Sequence, residues 1–138
     1  MSTLPVRQKL IEIARREVGV REVGRNTGKR VREYQAATNL EGTGWPWCAA
    51  FVCWCVREWG KDKDVLAALK MTPAQFEKWR PKTAAAFGLE DWARKNKLEI
   101  LDADDKPTLR TGDISTYDMS HCGIVADDKR GVIFAIEG

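Results

Sequence analysis

Histidine is all but missing from this chain: among 138 residues there is one, His121. Any imidazole chemistry must fall on that ring, and the paired Cys/His spacings of zinc fingers are absent. Long apolar runs are missing as well. No segment approaches the roughly 18 apolar residues of a membrane span. The opening Met1-Ser2-Thr3-Leu4-Pro5-Val6-Arg7 carries no apolar signal-peptide core. The expectation is a soluble product of the cytoplasm, made without a signal peptide, that needs delivery if its target lies outside. Charge of one sign is scarce: 23 basic and 20 acidic side chains leave a formal net charge of +3. That balance does not suit a nucleic-acid surface, which shows clustered basic patches. There is no internal repeat, no low-complexity tract and no long linker.

What is present describes one globular domain spanning residues 1–138. Hydrophobic residues make up 43% and charged residues 31%, a folding composition rather than a disordered one. A chain of this length buries about two-thirds of its unfolded surface and needs no disulfide or metal staple. Six Trp is many for the length. Trp45, Trp47, Trp54 and Trp59 lie close together, as core packing or, for one or two of them, as the wall of a cleft. The four cysteines are Cys48, Cys53, Cys55 and Cys122. A reducing cytosol disfavours disulfides, and Cys53-Trp54-Cys55 is not a C-x-x-C redox pair. A zinc site of Cys48, Cys53, Cys122 and His121 is a minor reading, and no cofactor is expected.

Periodicity predicts helices first and strands second, an α+β domain. The first helix is expected over about 4–18, capped by Thr3, with Val6, Leu10, Ile13, Ala14 and Val18 on one face and Gly19 past its end. A Gly-Asn-Thr-Gly loop follows, then a short helix over 29–37. Gly42, Gly44 and Pro46 mark a turn before the run Cys48-Ala49-Ala50-Phe51-Val52-Cys53-Trp54-Cys55-Val56. That run is apolar nearly all round, so it should be the buried central helix, stopping at Gly60. Thr72-Pro73-Ala74-Gln75 matches a capping box that opens a helix to about Trp79. Another helix is expected over 83–96. Leu98 to Leu101, Gly112 to Thr116, His121 to Ala126 and Val132 to Ile136 read as antiparallel strands. Asp104-Asp105-Lys106-Pro107 and Asp127-Asp128-Lys129-Arg130-Gly131 read as the turns between them.

Cys48 begins the buried helix. A thiol there faces unpaired backbone N–H groups and the positive end of the helix dipole, both of which favour thiolate. The same N–H groups suit an oxyanion hole. Cys53 and Cys55 lie deeper in the helix and read as inert packing. Cys122 alternates with His121 on a strand, so it should face the core. A hairpin across a 127–131 loop would pair Ala126 with Val132 and put His121 opposite Glu137, about 5 Å away. Nucleophile, base and orienting carboxylate would then be Cys48, His121 and Glu137. The order Cys, His, acid along helix then strands is also that of papain-like hydrolases.

Gly44-Trp45-Pro46-Trp47-Cys48-Ala49-Ala50-Phe51-Val52-Cys53-Trp54 resembles the nucleophile motif of the CHAP family, the cysteine, histidine-dependent amidohydrolases/peptidases. Thr111-Gly112-Asp113-Ile114 is similar to that family's first strand. Ser120-His121-Cys122-Gly123-Ile124-Val125 resembles its base strand, and Ile136-Glu137-Gly138 its closing I-E-G-N. Lys82-Thr83-Ala84 and the helix of Trp92-Ala93 are similar to bacterial and phage members. The resemblance covers about residues 5–138. It implies a papain-like fold, with N-terminal helices on a C-terminal antiparallel sheet, and amide hydrolysis in peptidoglycan of the kind done by endolysins, tail-associated lysins and autolysins. It carries over Cys48 as nucleophile, His121 as base and then acid, and Glu137 as orienter.

The sequence departs from the family in two places. Gly138 stands where the family continues with a polar residue and further strands, so the sheet reads as truncated. Residues 39–44 hold one carboxylate where some phage members have an Asp-rich calcium loop, and hard cations want several oxygen ligands, so no metal is expected. Trp45, Trp47 and Tyr117 are candidate substrate-binding walls. The expected partner is peptidoglycan or a muropeptide, with no nucleic acid, no membrane span and a monomeric chain. Three other readings stay open: an amidase of the same fold acting on a small peptide conjugate, a non-catalytic wall-binding or phage structural module on the same scaffold, and a thiol redox or zinc protein.

Overall fold

The computed structural model describes residues 5–42, 44–100, 110–117, 121–127 and 133–137, with the side chains of Tyr117, Asp127 and 133–137 outside that description. Six helices precede three strands: α1 Val6–Arg16, α2 Lys29–Gln35, α3 Cys48–Trp59, α4 Lys63–Leu69, α5 Pro73–Trp79, α6 Ala86–Lys95, β1 Ile114–Tyr117, β2 His121–Asp127 and β3 Ile133–Glu137. The class is α+β, as expected from the sequence. The strands form one antiparallel sheet in the order β1-β2-β3.

Helix α3 is the centre of the core. Every residue from Cys48 to Val56 is buried, because the run offers no polar face to water. α1 and α2 pack on it, with Leu10, Ile11 and Ala14 from the first and Val31 and Tyr34 from the second fully or nearly fully buried. On the sheet side, Cys122, Ile124 and Ala126 are buried in the same core. Those three alternate along β2, as one face of a strand must.

Several boundaries differ from the sequence reading. α1 stops at Arg16, short of Val18, because Glu17 and Val18 close i−3 bonds to Ala14 and Arg15 and Gly19 takes φ 101°. Val18 is consequently 69% exposed and not on the packed face. The expected Thr3 cap lies outside the described residues. α4 has no counterpart in the sequence reading. It starts where Asp62 accepts from the N–H groups of Asp64 (2.8 Å) and Val65 (3.3 Å), an ordinary N-cap. α5 carries the expected capping box, with Gln75 N–H on the Thr72 hydroxyl and the Gln75 side chain on Thr72 N–H. α6 begins at Ala86 rather than 83, since the Thr83 hydroxyl takes the Ala85 N–H at 3.2 Å and holds that turn open. Gly88 permits this: a Cβ there would sit 2.0 Å from the Thr83 Oγ1.

The strand expected at Leu98–Leu101 is absent over 98–100, and Leu101 lies outside the described residues. Leu98 and Ile100 are exposed at 40% and 44%. A strand needs a ladder partner, and the described sheet pairs β1 with β2 alone on that side. The expected turn at 104–107 also lies outside the described residues, as do 128–131 of the second turn.

A polar cluster ties α1 to α2 behind the core. Arg30 bonds both oxygens of Glu17, at 2.6 and 3.0 Å, and the Tyr34 hydroxyl donates to Glu17 at 2.7 Å. The Arg30 guanidinium lies 4.7 Å from the Trp54 ring centroid, a cation–π contact onto α3. Hydrogen bonds from Arg30 and then Tyr34 hold the Glu17 carboxyl below its ordinary range against the opposing effect of burial.

Glu17→Gln should therefore lower stability at neutral pH by about 1–2 kcal/mol, since Arg30 is partly solvated and its share is screened. A depressed carboxylate contributes fully above its unfolded value and loses that contribution as pH falls through its folded one. Urea midpoints of wild type and variant should differ at pH 7 and converge on acidification below the ordinary carboxylate range. A gap that stays constant with pH would contradict the assignment.

Candidate functional site

The turn 39–47 decides where α3 begins. Gly42 and Gly44 take φ 84° and 85°, a region that glycine enters without a Cβ penalty. The Trp45 indole N–H donates to the Gly42 carbonyl at 3.2 Å. Gln35, 2% exposed, donates its side-chain amide to the Trp45 carbonyl at 3.0 Å and to the Asn26 carbonyl at 3.3 Å. Trp47 stacks on Tyr34 with ring centroids 5.6 Å apart and 19° between planes, and meets Phe51 edge-on. Trp45 and Trp47 are thus partly buried props of the turn, packed against the core. Their indoles hold the residue that follows them.

That residue is Cys48, the first of α3, with Trp47 at the cap position and no side-chain cap. The N–H groups of the first turn have no intrahelical acceptor, and Ala49 N–H bonds the Cys48 sulfur. Two side chains from β2 reach the same sulfur: the Cys122 thiol and the His121 imidazole both hydrogen-bond to it. Together they pull the Cys48 thiol down to about 6, with the Cys122 bond the largest cause, against desolvation, and with the imidazole adding hydrogen-bonding and Coulombic attraction. Cys48 keeps 8% exposure while Cys122 has none.

The other two thiols behave oppositely. Cys53 donates to the Thr83 carbonyl at 3.4 Å and is pushed up by burial to about 11. Cys55, buried among apolar atoms, is pushed up well above the ordinary thiol value. Both are packing residues, as the sequence reading had them. Cys122 is buried as expected, but its bond to Cys48 was not foreseen. Strand alternation puts Cys122 and His121 on opposite faces, yet the first turn of α3 abuts the first two residues of β2 and its sulfur meets both.

The β2–β3 register corrects the expected pairing. Ala126 lies opposite Phe134, not Val132, and Glu137 lies opposite Gly123, not His121. The ladder continues through Asp127↔Ile133, one residue further along each strand than the sequence reading placed the turn. A shift of one residue on both strands moves the register by two and preserves its parity. Glu137 therefore stands two pairs removed from His121, on the same face of the sheet. Tyr117 pairs directly with His121 on the other side. The side chains of Glu137 and Tyr117 lie outside the described residues.

Among the described residues no group of three or more His, Cys, Asp or Glu side chains is arranged to hold a metal. No helix among them is long and apolar enough to cross a membrane. A cavity of about 730 Å³ opens at the far end of α3, between Lys9, Glu17, Arg30, Trp54 and Arg57. Three of its cations are paired, Lys9 with Asp62, Arg30 with Glu17 and Arg57 with Glu58, and Cys48 is not among the residues that line it. Comparison with known proteins finds no matching family model, no similar curated protein and no similar solved structure.

The rate of Cys48 alkylation by iodoacetamide should titrate with a midpoint near pH 6. His121→Ala and Cys122→Ala should each move that midpoint upward, because each removes a partner of the thiolate. Cys53 and Cys55 should stay unmodified in the folded chain at pH 7. A Cys48 midpoint at the ordinary thiol value in the wild-type protein would refute the site.

Proposed function

We propose that this chain is a peptidoglycan amide hydrolase, an amidase or endopeptidase of the CHAP type on a papain-like fold, with Cys48 as nucleophile and His121 as general base. The observation that carries the reading is one sulfur at a helix N-terminus, lowered to about 6 and bonded by the only imidazole in the chain. A nucleophile needs that combination: enough thiolate at neutral pH, and a proton carrier in contact. The substrate class rests on the sequence resemblance, which runs through the Cys48, Asp113 and His121 segments alike.

In the proposed reaction the Cys48 thiolate attacks the amide carbonyl carbon. The resulting oxyanion takes hydrogen bonds from the Cys48 N–H and a neighbouring first-turn N–H, which have no other acceptor within the helix. His121 protonates the leaving amine, releasing it and leaving a thioester on Cys48. The same imidazole then takes a proton from water, whose oxygen attacks the thioester and frees the acid. Glu137, two ladder pairs away by register, is the candidate to orient His121. Tyr117, across the ladder from His121, is a candidate cleft wall. Trp45 and Trp47 contribute by holding the turn. The chain would act on the cell wall after release or delivery.

Cys48→Ala should abolish solubilisation of purified peptidoglycan, and His121→Ala should reduce it on the order of 10³-fold or more, with both variants retaining the wild-type helical signal. Mass spectrometry of the digest should show one new terminus, a freed amine matched to a freed carboxyl, which identifies the bond. Wall lysis that survives Cys48→Ala would end this reading.

A further inference from the structure

The Cys122 thiol has no part in the reaction above, yet it is bonded to the nucleophile. We propose that Cys122 is a resolving thiol that captures oxidised Cys48 as a reversible Cys48–Cys122 disulfide, switching the site off and shielding the nucleophile from further oxidation. The regulatory half of this inference rests on the hydrolase reading, whereas the bond itself rests only on the two sulfurs.

The geometry selects this pair among the four cysteines. Cys48 and Cys122 are in hydrogen-bond contact across the α3–β2 junction. Cys53 and Cys55 are two apart on one α-helix, so their side chains diverge around the axis and cannot be bridged without unwinding it. Cys53 is further engaged with the Thr83 carbonyl. Exposure sets the order of events. Cys48 is 8% exposed and Cys122 is fully covered, so a small oxidant meets Cys48 first, and Cys122 meets only what Cys48 becomes.

The oxidant is a hydroperoxide. The Cys48 thiolate attacks one peroxide oxygen, the O–O bond breaks, and Cys48 sulfenic acid forms with release of hydroxide. The Cys122 sulfur then attacks the Cys48 sulfur, expelling its hydroxyl as a second hydroxide. Protons from the two original thiols convert both hydroxides to water. Two thiols and one hydrogen peroxide thus become one disulfide and two waters, and a dithiol reductant returns both thiols. Without Cys122 the sulfenic acid has no thiol in contact and proceeds to sulfinic acid, which such reductants do not reverse.

The test uses the full chain, reduced, treated with excess hydrogen peroxide, then unfolded in urea, blocked with iodoacetamide and mapped by non-reducing mass spectrometry. The expected product is a linked pair of peptides containing Cys48 and Cys122, with the chain lighter by two hydrogen atoms. Dithiothreitol should restore alkylation at both. In Cys122→Ser and Cys122→Ala, Cys48 should instead appear as sulfinic or sulfonic acid that dithiothreitol does not recover. Two variants of similar size guard against one that fails to fold. Finding wild-type Cys48 over-oxidised while Cys122 remains alkylatable, to the same extent as in the variants, would overturn the proposal. Peptidoglycan cleavage by the same samples separates the two readings. A bridge in a chain inactive even when reduced upholds the thiol chemistry and fells the hydrolase. An active reduced chain that forms no bridge does the reverse.

Discussion

The first turn of α3 lies against the first two residues of β2, and the placement of every candidate group follows from that contact. A helix that is apolar over its whole circumference has no preferred rotation of its own. It is located by what surrounds it. Here α1 and α2 pack on one side, α6 and the sheet on the others, and the core closes around Ala49, Ala50, Val52 and Cys53 with no exposure. Dense packing makes sliding or rolling α3 costly, so the sulfur at its start is delivered to a fixed point. The turn before it is held just as firmly. Trp47 stacks on Tyr34, Tyr34 bonds Glu17, and Glu17 is locked by Arg30. The thiol is positioned by aromatic and ionic contacts reaching back to the end of α1.

Within that frame two cysteines on one helix come out with opposite character. Burial alone disfavours thiolate, and it pushes Cys53 up to about 11. Cys48 is less enclosed, and it has three donors: a thiol, an imidazole and a backbone N–H. Hydrogen bonding to the charged form outweighs desolvation when the donors are local and already oriented. The helix N-terminus supplies one of them through the geometry of its first turn, and the first residues of β2 supply the other two. Neither element would lower the thiol as far by itself.

Much of this was legible in the sequence because it depends on local pattern. An apolar run after a Gly/Pro turn locates α3 and puts Cys48 at its head. The Thr72 and Gln75 capping box marks α5. The single histidine leaves no choice of imidazole. What the sequence withheld depends on long-range pairing or on ambiguity of one residue. Asp127 and Asp128 are equally good turn formers, and Val132 and Ile133 equally good strand formers, so composition could not say where the hairpin ladder ends. The structure carries it through Asp127↔Ile133 and moves Glu137 two pairs away from His121. Leu98 and Ile100 look like strand but find no ladder partner in the described sheet. α4 went unread although Asp62, followed by Val65, Leu66 and Leu69, carries a cap and an apolar spacing. The Cys122–Cys48 bond was beyond reach for a different reason. Strand alternation correctly sends Cys122 inward, but only the helix's position shows that inward is where the Cys48 sulfur lies.

Position 122 is therefore constrained twice. Its side chain must be small, because it is fully covered where β2 meets α3, and a larger group would push the helix start away from His121. It must also donate to a thiolate without drawing water into the contact. Alanine meets the first demand and not the second. Serine meets both, but its hydroxyl costs more to bury whenever Cys48 is protonated and offers less in return. Cysteine behaves as a small hydrophobe with a weak donor. It fits the packed junction when the neighbouring sulfur is neutral and supports that sulfur when it is charged. The same weak donor is itself an oxidisable thiol, so the bond that tunes Cys48 and the proposed disulfide would fall on one pair of atoms.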